Sequence, residues 1–205
     1  KASGATDVEH LAAKLRVFEA ENGIEDGKTR ILSLMTENAA GLFSAATYRE
    51  PHPRLSGLTW GAEDLSAEIG SRATRDANGR YTDVFRLART LTLVAASAAQ
   101  VAAIDTVFVD FRDADGFRAE CLEAERDGFT GKMAIHPAQV PIINEAFTPS
   151  GEAVALCLEI VDAFERAGDP GVVAIDGRMY DRPHLKRAER LLARAKAAEA
   201  DRTQV

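Results

Sequence analysis

An α/β protein with a parallel sheet is what this sequence predicts, on three observations. Apolar runs with strand character recur four times, at 30–35, 55–60, 105–111 and 132–137. Segments with helical periodicity lie between and after them, and strands alternating with helices imply parallel strands joined by right-handed crossovers. The 205 residues are enough for one sizeable core or at most two small domains. From pattern alone, a four-stranded doubly wound sheet and half of a (β/α)8 barrel both satisfy these observations.

Thr6 to Asn22 is expected to be a helix. Thr6 and Glu9 form a capping-box pair, Val8, Leu11, Leu15 and Phe18 share a face, and Asn22-Gly23 is a stop signal. RILSLM at 30–35 supplies the first strand and runs into Thr36-Glu37, ahead of an Ala-rich helical stretch over 38–49. LSGLTW at 55–60 is the second strand, and Gly61 permits a tight turn before Glu63-Asp64. A polar loop, SRATRDANGRY at 71–81, leads into a long helix from Thr82 to Gln100 with Val84, Leu87, Leu91 and Val94 expected inward. DTVFVDF at 105–111 is the third strand, and Asp115 to Asp127 a helix stopped by Gly128. KMAIHP at 132–137 is the fourth strand, halted by Pro137. Two more helices are expected, Gly151 to Ala167 with Ser150 as N-cap and Pro183 to Ala200, before a fraying tail.

Hydrophobic residues make up 46% and charged residues 28%, as in ordinary globular proteins. The net charge of −7 argues against a nucleic-acid binder, which needs a basic face, but leaves room for a small anionic ligand held by a few local cations. No apolar run approaches membrane-spanning length and no signal peptide is visible. Cys121 and Cys157 lack metal-ligand spacing and fit buried reduced thiols of a cytoplasmic protein.

In parallel α/β folds, ligands bind at the carboxyl ends of the strands. Those ends carry Glu37, the Glu63-Asp64 pair, Asp110 with Asp113, and His136. Converging carboxylates repel unless a cation or proton lies between them. Mg²⁺ takes oxygen ligands at roughly 2.0–2.1 Å, commonly one or two carboxylates plus water and substrate, and Glu37 with Asp64 fits that need. Each residue has a structural alternative: Asp64 as N-cap of the following helix, Glu37 in a solvated first turn, Asp110 and Asp113 as loop caps, His136 as a hydrogen-bonded structural histidine. No P-loop, nucleophile elbow or Cys/His pairing is present. The residues taken alone therefore give a carboxylate-rich, metal-suited mouth of an α/β fold.

The stretch GFTGKMAIHPAQVPIINEAFTPS (128–150) resembles the signature of citrate lyase β-subunit-like proteins, within the HpcH/HpaI aldolase and citrate lyase family. RLSGLTWGAEDLSAEIG, AIDTVFVDFRDADGFRAE and AIDGRMYDRPHLKRAERLL resemble further blocks of that family in the same order, so the likeness runs from Lys1 to about Ala195. It implies a carbon–carbon lyase or synthase on a (β/α)8 TIM barrel, dependent on Mg²⁺ or Mn²⁺. Such an enzyme joins or splits an acyl-CoA enolate and a 2-oxo acid or related carbonyl, with CoA as part of the substrate, in citryl-CoA, malyl-CoA or citramalyl-CoA type chemistry. The metal ligands implied are Glu37 from MTENAAGL, where the family pattern is like I-E-T-x-x-G, and Asp64 from the G-A-E-D block. The main chain of Gly61, Ala62 and Glu63 would receive the oxo acid's carboxylate. Asp181 of MYDRP would be the acid/base, reaching into a neighbouring subunit of a homo-oligomer, a trimer or hexamer; Tyr180 stands before it where Ile is usual. Arg72, Arg75 and Arg80 are candidates for CoA phosphates or, equally, solvated loop residues.

The chain begins at Lys1, without an initiator Met, and Lys1 aligns with the Lys of a Pro-Lys block that about four βα units normally precede. Residues 1–148 are accordingly expected to be the C-terminal half of a barrel, the other half carrying an Arg for the substrate carboxylate. Residues 149–205 are expected to be a helical extension packing on a neighbouring subunit. A CoA-independent 2-oxo acid aldolase, a catalytically impaired subunit lacking the N-terminal half, and a citryl-ACP lyase subunit of a larger complex remain as alternatives.

Overall fold

Four strands, β1 (Ile31–Leu34), β2 (Leu55–Thr59), β3 (Ala102–Asp105) and β4 (Gly131–Lys132), form a sheet in a computed structural model that describes residues 1–168 and 170–202, with side chains to residue 200. All neighbours are parallel and the order is β1-β2-β3-β4, with no reversal. The strand–helix alternation expected from the sequence is thus present. The described residues form two compact units, the first ending at Ile143 and the second beginning at Asn144.

Register explains which side chains meet. Ser33, Leu58 and Ala103 are partners across three strands, as are Asp105 and Lys132 across two. Period-two alternation puts these on the face that packs against helices, and all five are buried. The other face carries Leu32, Gly57, Ala102, Leu34, Thr59 and Ile104. It is closely set: a Cβ at Gly57 would come within 2.9 Å of Leu32 Cδ1 and 3.0 Å of the Ala102 carbonyl.

Helix α1 (Ala5–Glu21) packs on β1, α4 (Asp83–Ala99) on β2 and β3, and α5 (Ala114–Asp127) on β4. Two expected apolar faces are corrected. On α1 the buried residues are Val8, Ala12 and Glu19, whereas Leu11 and Phe18 are exposed. On α4 the inner face is Phe85, Ala88, Thr92, Ala95, Ala96 and Ala99, and Val84, Leu87 and Val94 point outward. Small residues let a helix lie close to a sheet, so the larger aliphatic stripe was the wrong one to place inward. Nor does Thr6 cap α1: Gly4 holds the N-cap position without a side-chain bond, and Thr6 lies inside the helix.

Two strand boundaries also move. β3 is AAID, not DTVFVDF, so Asp105 ends the strand instead of starting it, and residues 106–111 are loop. β4 is two residues long, leaving His136 in the loop beyond it. The expected helix over 38–49 is α2 (Ala39–Phe43) followed by a 3₁₀ turn, Ala45–Arg49. A short helix, α3 (Glu63–Ile69), follows β2. Helix α6 (Gln139–Phe147) was not expected; Pro141 lies in its first turn, where the missing N–H is no loss.

In the second unit, α7 (Gly151–Arg166) starts at Ser150, whose hydroxyl accepts from Ala153 N at 3.2 Å as expected. A hairpin, β5 (Val172–Ile175) and β6 (Arg178–Asp181), interrupts the segment expected to be helical. Its turn residues Asp176 and Gly177 have φ of 48° and 76°, the two positive values a tight two-residue hairpin turn requires and Asp-Gly supplies. Helix α8 (Arg182–Arg202) returns on α7. Cys157, Ile160, Phe164 and Ala188 form this unit's buried core, flanked by Val173, Ile175 and Tyr180.

Candidate metal centre

Glu37 and Asp64 come together, from the carboxyl ends of adjacent strands. The Lys1 ammonium lies between them, with Nζ 2.7 Å from Glu37 Oε2 and 2.6 Å from Asp64 Oδ2. Lys1 is placed by the Ala2 amide, which donates to the Leu34 carbonyl at the end of β1.

Glu37 sits in a turn tied at both ends. The Met35 amide donates to the Thr59 carbonyl, and Thr36 Oγ1 accepts from Gly61 N at 3.0 Å while its hydroxyl donates to Gly61 O at 3.2 Å. Asn38 then caps α2, accepting from Gly41 N at 2.8 Å, and Gly41 lies so near that a Cβ there would be 2.2 Å from the Met35 carbonyl. Glu37 therefore precedes α2 and is not one of its first-turn residues. Asp64 lies in the first turn of α3, whose N-cap is Ala62, so the N-cap alternative for Asp64 is also set aside.

The pair is electrostatically unequal. Glu37 is 12% exposed and Asp64 56%. Burial, and then the hydrogen bond shared with Asp64, raises the Glu37 pKa against the opposing pull of Lys1. The same contact with Glu37, followed by Lys1, lowers that of Asp64. Lys1 is held charged, first by Asp64 and then by Glu37. Two carboxylates drawn together around one cationic group are what a hard divalent ion needs from a protein, the remaining positions going to water and substrate. The donor set therefore fits Mg²⁺ with two protein ligands; among the described residues no cluster of three or more His, Cys, Asp or Glu offers an all-protein cage.

The other sequence candidates fare differently. The Gly61 N–H is committed to Thr36, so of Gly61, Ala62 and Glu63 the first already has its partner. Asp110 accepts from Arg112 N at 3.1 Å and Asp113 caps α5 through Gly116 N at 2.9 Å, both local roles. His136 stacks on Phe111 with centroids 4.7 Å apart. Its loop is pinned by buried Gln139, which accepts from Ile135 N and donates to the Phe108 carbonyl. Arg75 lies 3.8 Å over the Tyr81 ring, pairs with Glu120 and donates to Gly79 O, which makes it a structural clamp. Arg72 and Arg80 are exposed. Asp181 belongs to the second unit and lies 2.5 Å from His184 Nδ1.

At Trp60, the residue that follows β2, begins a buried polar network the sequence did not reveal. Trp60 Nε1 donates to Asp105 Oδ1 at 2.7 Å, and the fully buried Lys132 ammonium reaches Asp105 at 2.9 Å and Glu120 at 3.3 Å. Arg89 adds a 3.4 Å contact to Asp105 and a 2.7 Å one to Asp127. Of these groups, Arg89, Asp105, Glu120 and Asp127 line a polar cavity of about 490 Å³, together with Arg75 and Tyr81 of the preceding loop. Asp105 escaped notice because the apolar run after it, Val107 to Phe111, looks more strand-like than AAI before it. Thr59 Oγ1, at the end of β2, is buried and has no partner among the described residues.

Residues 1–137 match the HpcH/HpaI aldolase/citrate lyase family. A citrate lyase subunit beta-like protein of Mycobacterium tuberculosis is 35% identical over 98% of this chain and 74% of its own length. The chain belongs to that family. A (3S)-malyl-CoA thioesterase of Cereibacter sphaeroides is 37% identical over 98% of this chain and 65% of its own length. The crystal structure of M. tuberculosis CitE with magnesium, acetoacetate and coenzyme A superposes with a TM-score of 0.68 at 33% identity, over 89% of this chain and 73% of that one. The chain thus spans about two thirds to three quarters of the length of these HpcH/HpaI family members. No helix among the described residues is long and apolar enough to cross a membrane.

Proposed function

We propose that this chain is part of a Mg²⁺-dependent carbon–carbon lyase or synthase that acts on an acyl-CoA ester and a 2-oxo acid or related carbonyl. The observation that carries the proposal is the Glu37–Asp64 pair, closed around one cationic group at the ends of β1 and β2. Glu37 and Asp64 would hold the metal, which when bound supplies polarisation of a keto oxygen and compensation of its developing charge. The Ala62–Glu63 main chain, at the start of α3, would face the oxo acid's carboxylate, since a helix start favours anions. Asp181 and its neighbourhood would manage the proton on the acyl carbon. The magnesium and coenzyme A named for CitE, and the malyl-CoA named for the thioesterase, support this choice of cofactor and substrate class.

In the same proposal, the first unit is an arc of a (β/α)8 barrel, within the expected segment 1–148. An unreversed strand order supports it, because doubly wound sheets reverse order at a switch point. The segment 149–205 is the extension that meets a neighbouring copy in a trimer or hexamer.

Isothermal titration of the full chain with MgCl₂ tests the metal centre, alongside assays with malyl-CoA and citramalyl-CoA. Glu37→Gln and Asp64→Asn are each expected to weaken Mg²⁺ binding at least tenfold and to abolish Mg²⁺-dependent cleavage. Unchanged Mg²⁺ affinity in both variants would remove the assignment. A second reading, thioester hydrolysis, is favoured by the name of the C. sphaeroides relative. Product analysis separates them: cleavage yields an acyl-CoA and an oxo acid, hydrolysis yields free CoA and a hydroxy acid.

A further inference from the structure

Lys1 is held beside Glu37 by more than its own ion pairs. The two residues after it are tied to both ends of the turn that carries Glu37. The Ala2 amide donates to the Leu34 carbonyl at 2.9 Å, and Ser3 Oγ accepts from Asn38 Nδ2 at 2.9 Å. Ala2 is buried, and the Ser3 amide donates to the Asp7 carboxylate of α1 at 2.7 Å. The main chain is thus fixed at the end of β1, while the Lys1 side chain, 68% exposed, keeps a flexible four-carbon stem. A fixed root with a mobile stem lets one charge enter and leave one place.

That place is the one a metal ion needs. Nζ lies 2.7 Å from Glu37 Oε2 and 2.6 Å from Asp64 Oδ2, so these two oxygens already face a common cation. Mg²⁺ binds carboxylate oxygens at about 2.0–2.1 Å. An ion on the same two oxygens would lie no more than about 4 Å from Nζ, where two cations repel strongly. The ammonium and the ion therefore exclude each other.

We propose that Lys1 is a built-in counter-ion of the metal centre: its ammonium holds Glu37 and Asp64 together and must be displaced by the entering metal ion. This rests on the reading of Glu37 and Asp64 as the metal ligands. Lys1 lowers the apparent affinity for Mg²⁺, because only the molecules whose ammonium has swung out are competent to bind it. It also favours divalent over monovalent ions. A monovalent ion brings no more charge than the one it displaces, whereas a divalent ion draws on both carboxylates with twice the charge.

Other lysines of the chain show the contrast. Lys28 meets Glu25 alone at 3.4 Å, an exposed pair of the ordinary surface kind. Lys132 is fully buried between Asp105 and Glu120, so its cation is fixed in place. Lys1 combines the two: it bridges two carboxylates from the ends of different strands, yet its stem lies in solvent. Asp64, itself 56% exposed, gives an ion a way in from the same side.

Isothermal titration of MgCl₂ into the full chain and its Lys1→Met variant tests this, since methionine keeps an unbranched stem and removes the charge. Lys1→Met is expected to bind Mg²⁺ at least about fivefold more tightly than the wild type. Lys1→Arg, which keeps the charge, is expected to bind no more tightly than the wild type. Unchanged or weaker binding in Lys1→Met, while Glu37→Gln still loses affinity, overturns the counter-ion and leaves the metal ligands standing. Equal tightening in Lys1→Arg overturns it too, because charge is then not the cause. Binding seen only in Lys1→Met supports the proposal, and no binding in either protein overturns the ligands and the counter-ion together. Nitrogen NMR of the wild type gives a reading that needs no variant. On saturation with MgCl₂ the Lys1 Nζ signal is expected to move to the position and solvent exchange of exposed lysines. A signal that keeps its bridged position at saturation overturns the proposal.

Discussion

Glu19 shows how much one buried residue can organise. Its carboxylate, on the inner side of α1, takes the two arms of Arg54 at 2.8 and 2.6 Å and accepts from Gly27 N and Thr29 N. Arg54 also reaches Asp26 and the Thr29 carbonyl. The end of α1, the entry to β1 and the entry to β2 are thereby joined at one point. Arg54 holds the Glu19 carboxyl far below its ordinary range, against the desolvation of burial. A carboxyl with a depressed folded pKa contributes stability that is fully present above the unfolded value, about 4.3, and lost as pH falls toward the folded one. Thermal melts between pH 7 and pH 3 are therefore expected to show Tm falling below about pH 4.5. Glu19→Gln should lower Tm at neutral pH and flatten that acid limb.

At the scale of elements, α4 is the instructive case, since it carries two apolar stripes and buries the less obvious one. Phe85→Ala removes a fully buried ring and is expected to cost about 3–5 kcal/mol. Leu87→Ala, on the stripe the periodicity favoured, is expected to change stability by no more than about 0.5 kcal/mol, as at other exposed positions. Urea unfolding of the two variants checks the assignment, and equal losses would return Leu87 to the interior. Two helix ends, by contrast, were legible: Gly128 stops α5 with φ of 112°, and Ser150 starts α7. Caps act through the few residues beside them, whereas the choice of buried face depends on a partner far away in sequence.

On the scale of the whole molecule, the buried Lys132–Asp105 pair holds β3 to β4 and draws in Trp60 from just after β2, Glu120 from α5 and Arg89 from α4. Lys132→Met would leave Asp105 and Glu120 without their shared cation, a loss of about 3–5 kcal/mol. Adding Asp105→Leu should recover part of it, since removing both partners spares a buried charge its desolvation. Chemical denaturation of the single and double variants reads this directly. No periodicity announces such a network: Asp105, Glu120 and Lys132 stand 15 and 12 residues apart in sequence, and only the register that sets Asp105 opposite Lys132 brings them together. The sequence by itself determined the α/β class, the strand–helix alternation around the parallel sheet, the helix stops and the family, because these rest on local chemistry and on blocks kept in order. It also named Glu37 and Asp64, since both follow strands and strand ends are where such folds place chemistry. What only the tertiary structure decided was the strand order, the inward face of α4, the true end of β3, the Lys1 bridge between Glu37 and Asp64 and the pairing of Asp181 with His184. Each depends on which surfaces and charges meet across space, and a one-dimensional pattern does not contain that distance.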